Sequence, residues 1–132
     1  MIKKCSIDFD DTLSGKYVQK YVKELISKGI EVWLCTTRYD NKNVKKHYAK
    51  KYINVNDELY KICKEVGISK DKILFTNMIW KSEFFNTNDY DFLFHLDNSK
   101  EELKLATIFS CKIPFINCTV KGWKKECNKL LK

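Results

Sequence analysis

Ile7-Asp8-Phe9-Asp10-Asp11-Thr12-Leu13 is the stretch whose reading decides the fold of this chain. It closes an apolar run, Ile2 to Ile7 interrupted by Lys3-Lys4, that reads as a β-strand over Met1–Asp8. Ser14-Gly15 follows as a short turn, and then an amphipathic helix. Three carboxylates therefore stand where a buried strand meets solvent, which in an open parallel sheet is the ligand crevice. Carboxylates gathered there are costly without a cation or a chemical role. Asp8 and Asp10 are two apart, so an extended backbone would point both the same way. That pairing suits a divalent metal with one carboxylate left to attack.

Outward from this stretch, strands and helices alternate. Lys16–Lys28 carries Val18, Tyr21, Val22, Leu25 and Ile26 at helical spacing and stops at Gly29. Ile30–Cys35 is a near-continuous apolar run, as in a strand buried on both faces. Asn41–Tyr52 reads as a basic helix, and Asn56–Val66 as another, capped by Asn56 or Asp57 and ended by Gly67. Strands are expected at Lys72–Phe75, Phe92–Leu96 and Ile113–Ile116. Helices are expected at Trp80–Phe85, at Ser99–Phe109 with a Ser99/Glu102 capping box, and at Lys121–Leu131. This alternation predicts one α/β domain over residues 1–132. The expected architecture is a Rossmann-like three-layer sandwich with helices on both faces of a parallel five-stranded sheet.

The composition, 44% hydrophobic and 32% charged, is that of a globular protein. No apolar stretch approaches membrane-helix length, and the N-terminus enters the first strand without a signal-type apolar region, so the expected location is cytoplasmic with no membrane partner. The six cysteines form no CxxC pair and lie mostly in apolar runs, which favours reduced buried thiols over zinc or disulfides. Net charge is +8. A basic surface attracts phosphates and nucleic acid, but a Lys-, Asn- and Ile-rich coding bias produces the same excess.

Polar residues recur at the expected strand ends: Asp8, Asp10 and Thr12 after the first, Thr36-Thr37-Arg38 after the second, Lys81 shortly after the third, and Asp97-Asn98 after the fourth. In a parallel sheet these share one edge. Separated carboxylates, a hydroxyl and a lysine at one edge compose a phosphoryl-transfer site, with hard oxygen ligands suited to Mg²⁺.

On these residues the chain resembles the haloacid dehalogenase-like phosphatase superfamily. Its first motif, an apolar strand then D-x-D-x-T-[LV], is matched by Asp8, Asp10, Thr12 and Leu13. Its second is matched by Thr36, with Thr37-Arg38 fitting the T-x-R form, its third by Lys81 and its fourth by Asp97. The resemblance runs over nearly the whole chain in the right order. It implies the strand order 3-2-1-4-5 and a Mg²⁺-dependent phosphomonoester hydrolase in which Asp8 is the nucleophile and Asp10 the acid–base. Mg²⁺ would be held by Asp8, the Asp10 carbonyl and Asp97, and the phosphoryl group by Thr36, Thr37 and Lys81. Thr12, Asn98 and Arg38 would give support, Arg38 by touching phosphate or by pairing with Asp40.

The chain departs from the pattern where Asn98 stands in place of a second acid, with Glu101 placed to compensate, and where the segment after Thr12 leaves little room for a mobile flap. About 24 residues separate Thr12 from Thr36, enough for one helix and one strand but no cap domain. An open site of this kind suits a nucleotide or polynucleotide phosphate, with the lysines of residues 42–51 guiding it, although such a run also reads as a solvated helix face. Two other readings remain: a small-metabolite phosphatase closed by oligomerisation, and a non-catalytic phosphate-binding module on the same fold. A response-regulator receiver fits poorly, because the third strand ends in Phe75-Thr76-Asn77 without an acid. His47 and His95 read as packed or surface residues, His95 also as a support for Asp97. Trp33, Trp80 and Trp123 read as core, Trp80 offering a stacking face beside Lys81.

Overall fold

A computed structural model describes all 132 residues. Strand β1 (Lys4–Ile7) lies at the centre of the sheet, its Cys5, Ser6 and Ile7 all buried. It pairs in parallel with β2 (Glu31–Thr36) on one side and β4 (His95–Asp97) on the other. Beyond these, β3 (Ile73–Phe75) pairs with β2 and β5 (Phe115–Asn117) with β4, giving the order 3-2-1-4-5. All pairings are parallel, so every strand ends on the same edge.

Helices cover both faces. Cys5, Ile7, Val32, Leu34, Phe94 and Leu96 project toward α1 (Lys16–Ser27), α3 (Asp57–Val66) and α6 (Trp123–Leu130), forming the main core with Val22, Leu25, Leu59 and Cys127. The opposite face is aromatic. Cys35, Phe92 and Ile113 pack with Phe85 of α4 (Lys81–Thr87), and α5 (Lys100–Ile108) lies beside α4. No helix is long and apolar enough to cross a membrane.

The expected basic helix over Asn41–Tyr52 is corrected. Helix α2 spans Asn41–His47 only, Tyr48 turns extended, and a single 3-10 turn follows at Lys50–Tyr52. Val44 is the only residue of α2 that is buried, too narrow an apolar stripe to hold a longer helix down. The start of α3 also differs. Asn56 occupies the N-cap position, but its side chain does not cap the helix. It is fully buried and donates instead to the Tyr39 carbonyl at 2.9 Å and to Asn41 Oδ1 at 3.0 Å. The helix ends as expected at Gly67, whose φ of 100° is the left-handed conformation a C-terminal glycine supplies.

Candidate active site

Asp8 extends the β1 ladder by one step, its N–H donating to the Leu96 carbonyl at 2.9 Å. Extended geometry then ends. Leu13 N–H reaches back to the Asp8 carbonyl and Ser14 N–H to the Phe9 carbonyl, both at 3.0 Å, closing a wide non-helical turn over Phe9–Leu13 with Asp11 at φ 57°. Alternation along a strand therefore does not hold for Asp8 and Asp10, whose carboxylates find different partners. Asp8 is buried. Thr12 returns over it through the turn, its hydroxyl donating to Asp8 Oδ2 at 3.0 Å and lying 3.7 Å from Cys118 Sγ. Asp10 is 55% exposed and is gripped by Arg38, Nε to Oδ2 at 3.0 Å and Nη2 to Oδ1 at 2.7 Å.

Lys81, the first residue of α4, is 2% exposed. Its ammonium donates to Asp8 Oδ1 at 2.5 Å and to Asp97 Oδ2 at 2.6 Å. Asp97, the last residue of β4, has both oxygens engaged: Oδ2 also meets His95 Nε2 at 2.8 Å, and Oδ1 accepts from Ser99 N–H at 3.0 Å. His95 lies beside Ser6 in the β1–β4 register, with Nδ1 2.9 Å from Ser6 Oγ, and its ring is flanked by Phe85 and Phe115. Glu102 completes the cluster. Its carboxylate accepts the Lys81 backbone N–H at 3.1 Å on both oxygens and lies 4.0 Å from Lys81 Nζ. The Ser99/Glu102 capping box is thus half made: Ser99 Oγ accepts from Glu102 N–H, while the Glu102 side chain serves Lys81.

Three buried carboxylates, Asp8, Asp97 and Glu102, share one ammonium. Burial pushes the Asp8 carboxyl up to about 7, and Asp97 adds to that rise against the opposing pull of Lys81 and Thr12. Burial likewise raises Glu102. Burial acts upward on Asp97 too, but the His95 contact and the Lys81 ammonium outweigh it and hold the group well below the ordinary carboxylate range. Burial favours neutral His95. Desolvation works against the Lys81 charge, yet the two aspartates keep it ionised beyond its ordinary range. Asp97 and Lys81 are thus held as a charge pair, while burial works against the charge on both Asp8 and Glu102.

The site's fit to a divalent cation follows from the oxygens around Asp8. No three His, Cys, Asp or Glu side chains gather as metal ligands, and Asp97, expected as a ligand, has both oxygens occupied as described. Asn98 faces the turn instead. The inward end of its amide lies 2.9 Å from the Asp10 carbonyl oxygen, 3.0 Å from Asp8 Oδ2 and 3.2 Å from Thr12 Oγ1. With nitrogen inward, the amide donates to all three. With oxygen inward, only the Thr12 hydroxyl can answer it, and the remaining oxygens face one another. Separations near 3 Å are the edges of an octahedron with metal–oxygen bonds of about 2.1 Å. Asp8 Oδ2 and the Asp10 carbonyl each lie at such a separation from the inward end of the Asn98 amide, so with its oxygen turned inward these three groups could hold Mg²⁺, whose charge would offset the surplus carboxylates.

The remaining expected residues divide. Thr36, at the end of β2, is buried, and its hydroxyl accepts from the Arg38 N–H at 3.3 Å. Thr37 lies beside it, its carbonyl accepting the Met78 N–H at 2.7 Å. Arg38 pairs with Asp10 rather than Asp40. It also donates to the Val55 carbonyl at 3.0 Å and Asn56 Oδ1 at 3.3 Å, and lies over the Phe9 ring at 5.0 Å. Asp40 instead caps α2, accepting from Asn43 N–H at 2.9 Å. Glu101, expected to compensate for Asn98, is exposed and contacts only Ser99, at 3.4 Å. Its neighbour Glu102 enters the site, a role its capping-box position concealed. Trp80, expected in the core, is 47% exposed. Asp8, Lys81 and Asp97 are all buried, and Asp10 is the exposed carboxylate at the outer side of the turn. Compared with family models, curated proteins and solved structures, the chain matches none.

Proposed function

We propose that this chain is a Mg²⁺-dependent phosphomonoester hydrolase that works through an aspartyl-phosphate on Asp8. The observation that carries this reading is the buried lysine bridge. Lys81 joins Asp8 to Asp97 at the carboxyl edge of a parallel sheet, leaving Asp8 Oδ2 among the Thr12, Asn98 and Asp10 oxygens. Asp8, Asp10 carbonyl and Asn98 would hold Mg²⁺, which would neutralise charge on the phosphoryl oxygens. Asp8 attacks phosphorus as the bond to the leaving oxygen breaks, and Asp10 supplies the proton that oxygen takes up. Water then attacks the aspartyl-phosphate, giving its proton to Asp10, and phosphate leaves with Asp8 restored. Lys81, held by Asp97 and Glu102, fixes the orientation of Asp8 and offers positive charge to the transferring group. Asp10 acts at the mouth, where the Arg38 fork must yield one of its oxygens.

The bidentate Arg38–Asp10 pair also favours a second reading, a phosphate-binding module that does not turn over, because it occupies the acid–base group.

Phosphate release with Mg²⁺ separates the two, measured on p-nitrophenyl phosphate, nucleotides, sugar phosphates and phosphorylated oligonucleotides. Asp8→Asn is expected to lower turnover by about 10³-fold or more, and Asn98→Asp, which adds a charge beside Asp8, to lower the Mg²⁺ concentration needed for half-maximal rate. Full activity in Asp8→Asn would remove the nucleophile assignment, and an unchanged Mg²⁺ titration in Asn98→Asp would remove Asn98 from the metal site.

A further inference from the structure

We infer that the rim of this site binds a single-stranded polynucleotide and presents its terminal phosphomonoester to Asp8, an inference that rests on the phosphatase reading for its chemistry but not for its binding. Two segments form the rim. The first is the β3–α4 loop, where Met78, Ile79 and Trp80 stand exposed immediately before Lys81. Asn77 and Met78 both have left-handed backbones, φ 54° and 71°. Asparagine tolerates this conformation, whereas methionine is strained there by about 1–2 kcal/mol. The strain is held in place. Asn77 Oδ1 accepts from Asp40 N–H at 3.0 Å and from Asn43 Nδ2 at 3.3 Å, and Met78 N–H donates to the Thr37 carbonyl. The fold thus keeps three large apolar side chains in water beside the phosphate site, where burial would otherwise be favoured.

The second segment begins at Tyr39, next to Arg38. Because α2 breaks at Tyr48, tyrosines at 39, 48 and 52 pack edge to face in series, with ring centroids 5.6 and 6.2 Å apart, and Tyr39 also stacks on His47. Tyr48 is 46% and Tyr52 49% exposed. From Tyr39 to Asn56 the chain has five lysines and one acid, Asp40, so this segment is strongly basic. Lys51 lies 5.1 Å from the Tyr52 ring centre. The two segments meet along the Thr37–Arg38 backbone, which accepts from the Asn77 and Met78 N–H groups. Partly exposed aromatic residues interleaved with lysines and adjoining the proposed phosphate site match a strand whose bases are free to stack. A duplex, with its bases already stacked, would find only the charge.

The test uses the full chain and an oligonucleotide of about 12 residues carrying a 5′- or a 3′-phosphate. The readout is the ratio of kcat/KM on the oligonucleotide to that on p-nitrophenyl phosphate, in wild type, Trp80→Ala and the double variant Lys50→Glu/Lys51→Glu. Circular dichroism controls for folding. The ratio should fall about tenfold or more in both variants, and whichever end is cleaved identifies the polarity. Binding of the same oligonucleotide, single-stranded and in duplex, to Asp8→Asn is followed by fluorescence anisotropy across salt. Preference for the single strand, weakened by Trp80→Ala, is expected. An unchanged ratio with robust p-nitrophenyl phosphate hydrolysis would overturn the inference and leave the phosphatase intact. Salt-dependent, Trp80-dependent single-strand binding with no phosphate release would keep the rim and discard the phosphatase. Equal duplex binding indifferent to Trp80 would reduce the rim to unspecific charge and overturn it.

Discussion

Asp8 and Asp10 belong to one short turn, and each is held by a cation from a distant part of the chain, yet the two clamps sit in opposite environments. Lys81 grips Asp8 with both side chains under a tenth exposed, and its other partners, Asp97, Glu102 and His95, are buried as well. Arg38 grips Asp10 with a carboxylate more than half in water. In the inner clamp low dielectric magnifies each charge, and removal of one partner strands the others. In the outer clamp water screens the pair and stands ready to replace either partner. The difference separates what the fold depends on from what can change: unpaired inner carboxylates would be costly to bury, whereas the outer pair can yield to another partner at little cost.

Lys81→Met attacks the inner clamp most directly, leaving Asp8, Asp97 and Glu102 without their ammonium. A loss of about 3–5 kcal/mol is expected in urea unfolding, together with loss of turnover. Adding Asp8→Asn to Lys81→Met should restore part of that stability by removing one stranded charge. A loss below about 1 kcal/mol, the range of an exposed pair, would erase the contrast between the halves. His95→Leu is the next step down. It keeps the packing between Phe85 and Phe115 but deprives Asp97 and Ser6 of a partner, for an expected cost of about 1–3 kcal/mol. If His95 positions Lys81 through Asp97, kcat falls while KM stays, whereas a purely structural role would move stability alone.

A smaller effect distinguishes the inner carboxylates by pH. The folded pKa of Asp8 is raised, to about 7, so its contribution is fully present below its unfolded value near 4 and is lost as pH rises through 7. Asp97 has the opposite sign: its folded pKa is depressed, so its contribution is present above about 4 and lost only in stronger acid. In EDTA, the urea midpoint should therefore drop between pH 5 and pH 8 in wild type, and the drop should shrink in Asp8→Asn. Mg²⁺ should also reduce it by supplying the missing charge. A drop of equal size in Asp8→Asn would assign it to other groups, among them Glu102, whose carboxyl burial also raises.

The legibility of these features in the sequence follows the range of the interactions that make them. The parallel sheet was readable because strands alternate with helices, β2 is a near-continuous apolar run, and Gly29 and Gly67 mark helix ends. Lys81 and Asp97 were readable because position after a strand sets which edge a residue reaches. What strand position cannot give is the partner. Glu102 looked like a capping residue because its spacing from Ser99 is local, while its contact with Lys81 depends on how α5 lies beside α4. Asp8 and Asp10 looked coplanar because alternation assumes a strand, which the wide turn over Phe9–Leu13 ends one residue too early. The break at Tyr48 was hidden because charged residues along 42–51 suit a helix wherever an apolar stripe anchors it, and here only Val44 does.

Asp10→Ala gives the smallest change in stability and probes the outer clamp alone. Arg38 keeps its bonds to Val55 and Asn56 and its face on Phe9, so the substitution removes one screened pair and leaves no buried group unpaired. The expected cost is below about 1 kcal/mol. If Asp10 transfers protons, turnover nonetheless falls by about 10²–10⁴-fold, most for substrates with poor leaving groups and least for p-nitrophenyl phosphate, whose leaving oxygen needs little protonation. A cost comparable to that of Lys81→Met would make the outer clamp structural. An equal loss on good and poor leaving groups would place Asp10 outside the proton transfer to the leaving oxygen, with a role confined to orienting the turn around Asp8.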